Sequence, residues 1–323
     1  MNHSYLSNAF GTRHPIVNAP MAGAAGGHLA AAVSAAGGLG MVGVGASATK
    51  EWIDRHIGTA AAAGPAWGAG VMAWALQDSL DPLHHILQYR PSLVSVSFGD
   101  PGTALAMVRQ SGAKTAVQIG NQADLQQALD YEVDVIVVRG AEAGGHGRND
   151  AGTLPLLQLA LEATSTPVLA AGGIATARGV AAALAAGAAG VWVGTRFTTA
   201  AESVMSGPFK DRIGAAGVDD TVYSRAFDLA QQLNWPPQFG GRALSNAFTS
   251  QWAGREDELE EKIRQGSGIT EQMRAARADD NADTAPVYAG QAAALTGGGQ
   301  TARDIVDELA GYRAHLKDAA AWL

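Results

Sequence analysis

Residues 167–197 read PVLAAGGIATARGVAAALAAGAAGVWVGTRF. An apolar run at 167–171 breaks at Gly172-Gly173, an alanine-rich helical segment covers 176–186, and a second apolar run at 190–193 breaks at Gly194. Short apolar run, turn, helix and short apolar run is the pattern of two parallel strands joined by a crossover helix. The same unit recurs toward the amino end. Periodicity predicts further strands at 15–19, 39–42, 66–72, 93–98, 114–119 and 133–138, with helices at 29–36, 50–63, 80–89, 103–111, 122–130 and 154–163 between them. Most of the runs are continuous, as in Val133, Val135, Ile136, Val137 and Val138, which predicts strands buried on both faces. Eight strands alternating with crossover helices point to an α/β fold, a closed (β/α)8 TIM barrel whose core occupies residues 1–199.

Beyond the eighth strand the texture changes. Residues 200–285 hold much of the charge, including Arg255-Glu256-Asp257-Glu258 and Glu260-Glu261-Lys262, with tryptophans at 235 and 252. This reads as a helical insertion above the barrel mouth, a lid or an oligomer surface. Residues 286–323 then supply a small-residue helix at 288–294, the flexible Gly297-Gly298-Gly299, and an amphipathic helix from 301 to about 316, expected to be the closing helices of the barrel.

The composition narrows the partners. The 323 residues are 47% hydrophobic and 16% charged with 41 glycines, a globular profile suited to close packing of helices on strands. The net charge of -8 leaves no basic field for a nucleic-acid backbone or an anionic membrane surface, so a small molecule is the expected partner. Cysteine is absent, which excludes disulfide and thiolate chemistry and suits a reducing cytoplasm. Residues 1–11 show no basic segment followed by an apolar one, so no signal peptide is expected. The weakly polar stretch 179–193 lacks the bulk and length of a membrane span.

In such barrels the chemistry sits in the loops at the carboxyl ends of the strands. After strand seven come Ala171, Gly172 and Gly173, and after strand eight come Gly194 and Thr195. Glycines there let backbone N–H groups approach a phosphate, so two such loops on adjacent strands form a phosphate cradle. After strand six runs Arg139-Gly140-Ala141-Glu142-Ala143-Gly144-Gly145-His146-Gly147-Arg148. A histidine on that glycine-rich loop can exchange a proton near neutral pH or set a positive charge beside an anion, which makes His146 the candidate catalytic residue. Glu142 is expected to orient the loop by accepting backbone N–H bonds, while Arg139 and Arg148 are expected to be solvated or to pair with it. After strand one, Asn18-Ala19-Pro20-Met21-Ala22-Gly23 can lie flat against a planar ring or be an ordinary strand exit. His84-His85 falls on a predicted helix with no acidic partner in sequence and is expected at the surface. No spacing of Asp, Glu and His suggests a metal, and no nucleotide-binding glycine motif follows a strand.

At these residues the chain resembles the nitronate monooxygenases, formerly the 2-nitropropane dioxygenases. The similarity rests on Pro15-Ile16-Val17 with Ala19-Pro20-Met21-Ala22-Gly23, on Gly140 with Glu142-Ala143-Gly144-Gly145-His146, on Ala170-Ala171-Gly172-Gly173-Ile174, on Gly194-Thr195-Arg196-Phe197 and on Tyr288-Ala289-Gly290-Gln291-Ala292-Ala293. The resemblance implies flavin mononucleotide (FMN), with its phosphate on Gly172-Gly173 and Gly194-Thr195 and with Ala19, Pro20, Met21, Ala22, Gly70, Met72, Gln118, Gly140, Ala141, Gly145 and Ala171 around the rest of the cofactor. It implies His146 beside the flavin, and oxidation of an alkyl nitronate, or of a nitroalkane, with O2 to a carbonyl compound and nitrite. Two departures stand out: Gln118 replaces a lysine or other donor common at the end of strand five, and Arg139 replaces an uncharged polar residue at the end of strand six. The alternative is an NAD(P)H-dependent flavin reductase of quinones or enoyl thioesters on the same barrel. A third reading is a non-catalytic flavin- or phosphate-binding barrel. The expected partners are the small substrate and O2, with a homodimer as the candidate assembly.

Overall fold

The computed structural model describes residues 4–64 and 66–322. Its strands are β1 (Ile16–Asn18), β2 (Gly40–Gly43), β3 (Trp67–Met72), β4 (Leu93–Ser97), β5 (Lys114–Ile119), β6 (Val135–Arg139), β7 (Gly145–Gly147), β8 (Val168–Ala171), β9 (Gly190–Val193), β10 (Thr221–Ser224) and β11 (Gly240–Leu244). Eight of them, all except β7, β10 and β11, form one parallel sheet in the order β1-β9-β8-β6-β5-β4-β3-β2. Its two edges meet: Val17 bridges Leu39, the Asn18 Nδ2 donates to the Met41 carbonyl at 2.9 Å, and the Met41 N–H donates to Asn18 Oδ1 at 2.8 Å. The buried Asn18 amide thus adds two rungs at the seam to the backbone bonds from Leu39 N–H to the Ile16 carbonyl and from Asn18 N–H to the Leu39 carbonyl, and the sheet is a barrel.

The two-faced burial of the strands explains their continuous apolar runs. Val17, Leu39, Met41, Leu93, Ala116, Val135, Val137, Leu169 and Trp192 fill the barrel interior, with Leu6 and Phe10 of the helix Tyr5–Phe10 packed among them. Their neighbours Ile16, Val42, Val94, Val96, Val117, Ile119, Ile136, Val138, Val168, Val191 and Val193 face the helices and meet Leu29, Val33, Ile57, Ile86, Leu105, Leu125 and Val180. A strand with apolar partners on both sides has no polar alternation to show. Helix starts are set locally. Thr49, Asn121 and Thr176 accept the N–H of the residue three places on, from Trp52, Asp124 and Gly179, satisfying a donor that the first helical turn leaves free.

At the carboxyl end the helices Ala302–Leu309 and Tyr312–Ala319 pack against Gly27–Ala35 and Ala177–Ala185, in the ring position between the helices that follow β8 and β1. They are two helices where the pattern suggests one, because the chain breaks at Ala310-Gly311. Residues 288–294 differ from the expected helix as well: Tyr288 bridges Ala243, and only Gln291–Leu295 coils, as a 3-10 turn. The insertion is mostly helical, with its own core of Phe227, Phe248, Trp252, Leu259 and Met273, yet it also carries β10 and β11. These pair antiparallel with each other, and β11 pairs with β7 on the loop after β6, in the order β10-β11-β7. Pairing across so long a span leaves no trace in local periodicity. Among the described residues no helix is long and apolar enough to cross a membrane.

Candidate active site

Inward-facing positions at the top of the barrel follow from the two-residue period. Continuing the interior set, Ala19, Ser97, Gln118, Arg139, Ala171 and Gly194 face the axis at its upper rim. Most are small, so the rim is a shallow floor whose long polar side chains are Gln118 and Arg139. Gln118 and Arg139 line a cleft with Ser97, Phe98, Gly147 and Phe239.

Across one side of this floor lies the segment after β1. A Cβ on Gly43 would strike the Met21 backbone, and one on Gly70 would strike the Pro20 ring at Cβ 2.6 Å away. Glycines at 43 and 70 therefore let Pro20 and Met21 lie flat on the ends of β2 and β3, while Met72 at the end of β3 stays half-buried. Met21 also reaches β9: its Sδ would sit 3.6 Å from a Cβ on Gly194.

β8 and β9 pair directly, so the turns after them are neighbours on the rim. Gly172 has φ +110° and Gly173 φ +70°, left-handed conformations that strain any residue with a side chain. Gly194 leads straight into the short helix Thr195–Thr198, whose first N–H groups have no partner within the helix. The Thr195 Oγ1 accepts the Gly290 N–H at 2.9 Å and the Glu142 carbonyl accepts the Gln291 N–H at 2.9 Å, so the 288–291 segment is wedged between this turn and the histidine loop.

That loop, residues 140–148, is held by side chains. Glu142 takes the role expected of it: its two carboxylate oxygens accept the Thr153 N–H at 3.1 and 3.0 Å, and Oε2 also accepts the Thr153 hydroxyl at 2.9 Å. The arginines depart from expectation, since neither pairs with Glu142 and each is engaged elsewhere. Arg148 pairs with Asp124, its Nε 2.8 Å from Oδ2, and its guanidinium lies 5.1 Å over the Phe239 ring. Arg139 is buried, and its guanidinium donates to the carbonyls of Ala143 (3.2 Å), Gly144 (3.0 Å), Gly145 (2.9 Å) and Arg148 (3.4 Å). It makes no ion pair among the described residues, and burial pushes its pKa down to about 10. Close packing explains the glycines here. A Cβ on Gly147 would run into the Arg139 guanidinium, one on Gly140 into Thr153, and one on Gly144 into Ala289.

His146 is the centre of β7 and faces the insertion, opposite Gly241 of β11. Its Nε2 lies 2.7 Å from Asp228 Oδ1, with the two side chains only 10% and 3% exposed. Its ring is stacked on Trp235, centroids 3.8 Å apart and planes 2° from parallel, and Tyr288 lies 5.1 Å away at 50°. Trp235 extends the aromatic cover to Trp74 and Phe98, at 5.2 and 5.4 Å, and Phe98 meets Phe239 at 5.5 Å. Phe98 has φ +70°, an unfavourable conformation for a bulky residue and one that sets its ring in this cluster. The Tyr288 phenol is driven far above its ordinary range, first by burial and then by the Asp228 carboxylate, so it stays protonated.

Sequence reasoning did not find Asp228 or place Trp235 and Tyr288. Asp228 is 82 positions from His146, and the one visible signal was a tryptophan in an otherwise charged segment. The His84-His85 pair is corrected in part. His84 is exposed, but His85 Nε2 bonds Asp54 Oδ1 at 2.6 Å, an acid from the preceding helix that no local spacing reveals.

The model of the family described as nitronate monooxygenase matches residues 66–311. The nitronate monooxygenase npaC of Metarhizium robertsii is 35% identical over 264 residues, covering 73% of this chain and 74% of that protein. A (3aS,4S,5R,7aS)-5-hydroxy-7a-methyl-1-oxo-octahydro-1H-indene-4-carboxyl-CoA dehydrogenase of Rhodococcus jostii is 35% identical over 229 residues, 69% of this chain, and the chain spans 63% of that relative's length. Among solved structures, nitroalkane oxidase from Streptomyces ansochromogenes superposes with a TM-score of 0.80 at 27% identity, over 98% of this chain and 99% of that one. A closed barrel with its glycine turns and histidine loop on one rim, matched over most of its length, places the chain in the nitronate monooxygenase family of flavin-dependent oxidoreductases.

Proposed function

We propose that the protein oxidises alkyl nitronates with O2 to a carbonyl compound and nitrite, using FMN. The observation that carries this reading is His146 on the rim, its Nε2 engaged by Asp228 and its Nδ1 without a hydrogen bond among the described residues. The residues fit the cofactor. Positive φ at Gly172 and Gly173 beside the Gly194-Thr195 turn offers side-chain-free backbone to a phosphate. The floor of Ala19, Pro20, Met21, Ala22, Gly70 and Met72 suits a flat ring, with Gln118 and the Gly140, Ala141, Gly145 side opposite. FMN, when bound, supplies the electron transfer and reaction with oxygen. The chain supplies geometry: Trp235, Trp74, Phe98 and Phe239 shield the mouth from water, and His146 presents a proton acceptor there.

A second reading, an NAD(P)H-dependent reductase or dehydrogenase of a thioester, draws on the Rhodococcus relative, whose name assigns it a CoA-ester substrate. Anaerobic mixing separates the two. The purified holoenzyme is expected to be yellow, to be bleached by propyl-2-nitronate and to stay oxidised with NADH or NADPH. Rapid bleaching by either nicotinamide, with none by nitronate, sinks the first reading in favour of the second.

A further inference from the structure

The insertion is more than a cover for the barrel, because it carries the group that contacts the reacting histidine. Asp228 lies in the helix Ala226–Gln231, is 2% exposed, and meets His146 at 2.7 Å through Oδ1, while its Oδ2 is buried without a hydrogen-bond partner among the described residues. A carboxylate accepts hydrogen bonds and does not donate them, so in this geometry the neutral imidazole carries its proton on Nε2. The other approaches to the ring are taken. Trp235 covers one face in parallel stacking, Tyr288 packs on it at an angle, and Gly241 sits close to the Nε2–Cε1 edge, where a Cβ would lie 3.4 Å from Nε2. Nδ1 alone makes no hydrogen bond among the described residues and is not sealed from solvent.

We propose that Asp228 is a positioning residue that fixes His146 with its proton on Nε2 and so makes Nδ1 the base that deprotonates a neutral nitroalkane at the barrel mouth. This rests on the nitronate reading above, taken with a neutral nitroalkane as substrate, and adds to it the role of Asp228. In the step, the α C–H bond breaks and an Nδ1–H bond forms. The electron pair left on carbon is delocalised onto the nitro oxygens, giving the nitronate, and the new imidazolium is neutralised across Nε2 by Asp228. Tyr288 is not a rival base, since it stays protonated in this environment. A preformed nitronate needs no such step, and this distinguishes the role from simple support of the fold.

The test uses the FMN-loaded enzyme with nitroethane and with ethyl nitronate, each in wild type, Asp228→Asn and Asp228→Ala. Orientation of a catalytic base is worth on the order of 10²-fold or more. The expected result is that kcat/KM for nitroethane falls by about that factor while the nitronate value falls at least tenfold less. Equal losses on both substrates overturn the proposal. If neither variant folds, wild-type protein with 15N-labelled histidine decides: the His146 resonances are expected to show a protonated Nε2 and an unprotonated Nδ1, and the reverse pattern overturns it. If the wild type oxidises no nitronate at all, the functional reading fails rather than this inference.

Discussion

Two stretches of the same rim do their work by opposite means. The turns after β8 and β9 are built from backbone: Gly172, Gly173 and Gly194 offer no side chain, and the conformation at the first two is one that glycine alone adopts without strain. The loop after β6 is equally rich in glycine but is trussed by side chains, with Arg139 on four carbonyls, Glu142 on Thr153 and Asp228 on His146. A phosphate has several equivalent oxygens and tolerates a cradle of N–H groups. An imidazole has two distinguishable nitrogens and must be held at a defined angle. On the proposed reading, glycine suits the first purpose and has to be overruled for the second.

The sharpest way to break this comparison is His146→Asn. It is expected to keep FMN, because the proposed phosphate cradle is elsewhere, and to lose turnover by roughly 10²- to 10⁴-fold, read as steady-state oxygen uptake beside the flavin absorbance. Unchanged turnover would remove His146 from the chemistry.

Next comes Arg139→Met. Hydrogen bonds to a charged group are worth about 1.5–3 kcal/mol, and the buried carbonyls of the loop lose their donor, so a fall of roughly 2–4 kcal/mol in unfolding free energy is expected from urea titration. A neutral outcome would show that the glycines hold the loop unaided.

On the other side of the rim, Gly173→Ala places a side chain at φ +70°. FMN affinity is expected to fall about tenfold, a cost of roughly 1–2 kcal/mol for an L-residue in that region, while affinity for riboflavin, which has no phosphate, changes little. Equal losses for both flavins would move the phosphate away from this turn.

The smallest effect belongs to Tyr288→Phe. Among the described residues the buried phenol oxygen has no hydrogen-bond partner, so its removal is expected to leave stability within about 0.5 kcal/mol and to raise it if anything, by thermal unfolding. A large loss would mean that the hydroxyl serves Asp228.

The barrel was legible because its signals are local. Eight apolar runs of four to seven residues, separated by helical stretches, can each be read within a dozen positions, and the observed strands fall within two residues of them. The glycine turns and His146 were legible for the same reason, since each directly follows a strand. Glu142 was placed correctly because a carboxylate in a glycine loop has few uses other than accepting N–H bonds. Arg139 and Arg148 were not. A charged residue at a strand end is solvated by default, and only the fold shows that one turns inward under its own loop and the other meets Asp124.

The sequence by itself determined the repeat of strand and helix, the count of eight and the rim that carries the glycine turns and His146, because periodicity and glycine placement are properties of neighbouring residues, and its motifs carried the resemblance to the family. Tertiary structure alone decided which nitrogen of His146 is engaged. That depends on β11 pairing with β7 and on a helix of the insertion delivering Asp228 to it. Contacts between residues so far apart are selected by the packing of the whole chain, so neither partner bears a local mark of the other.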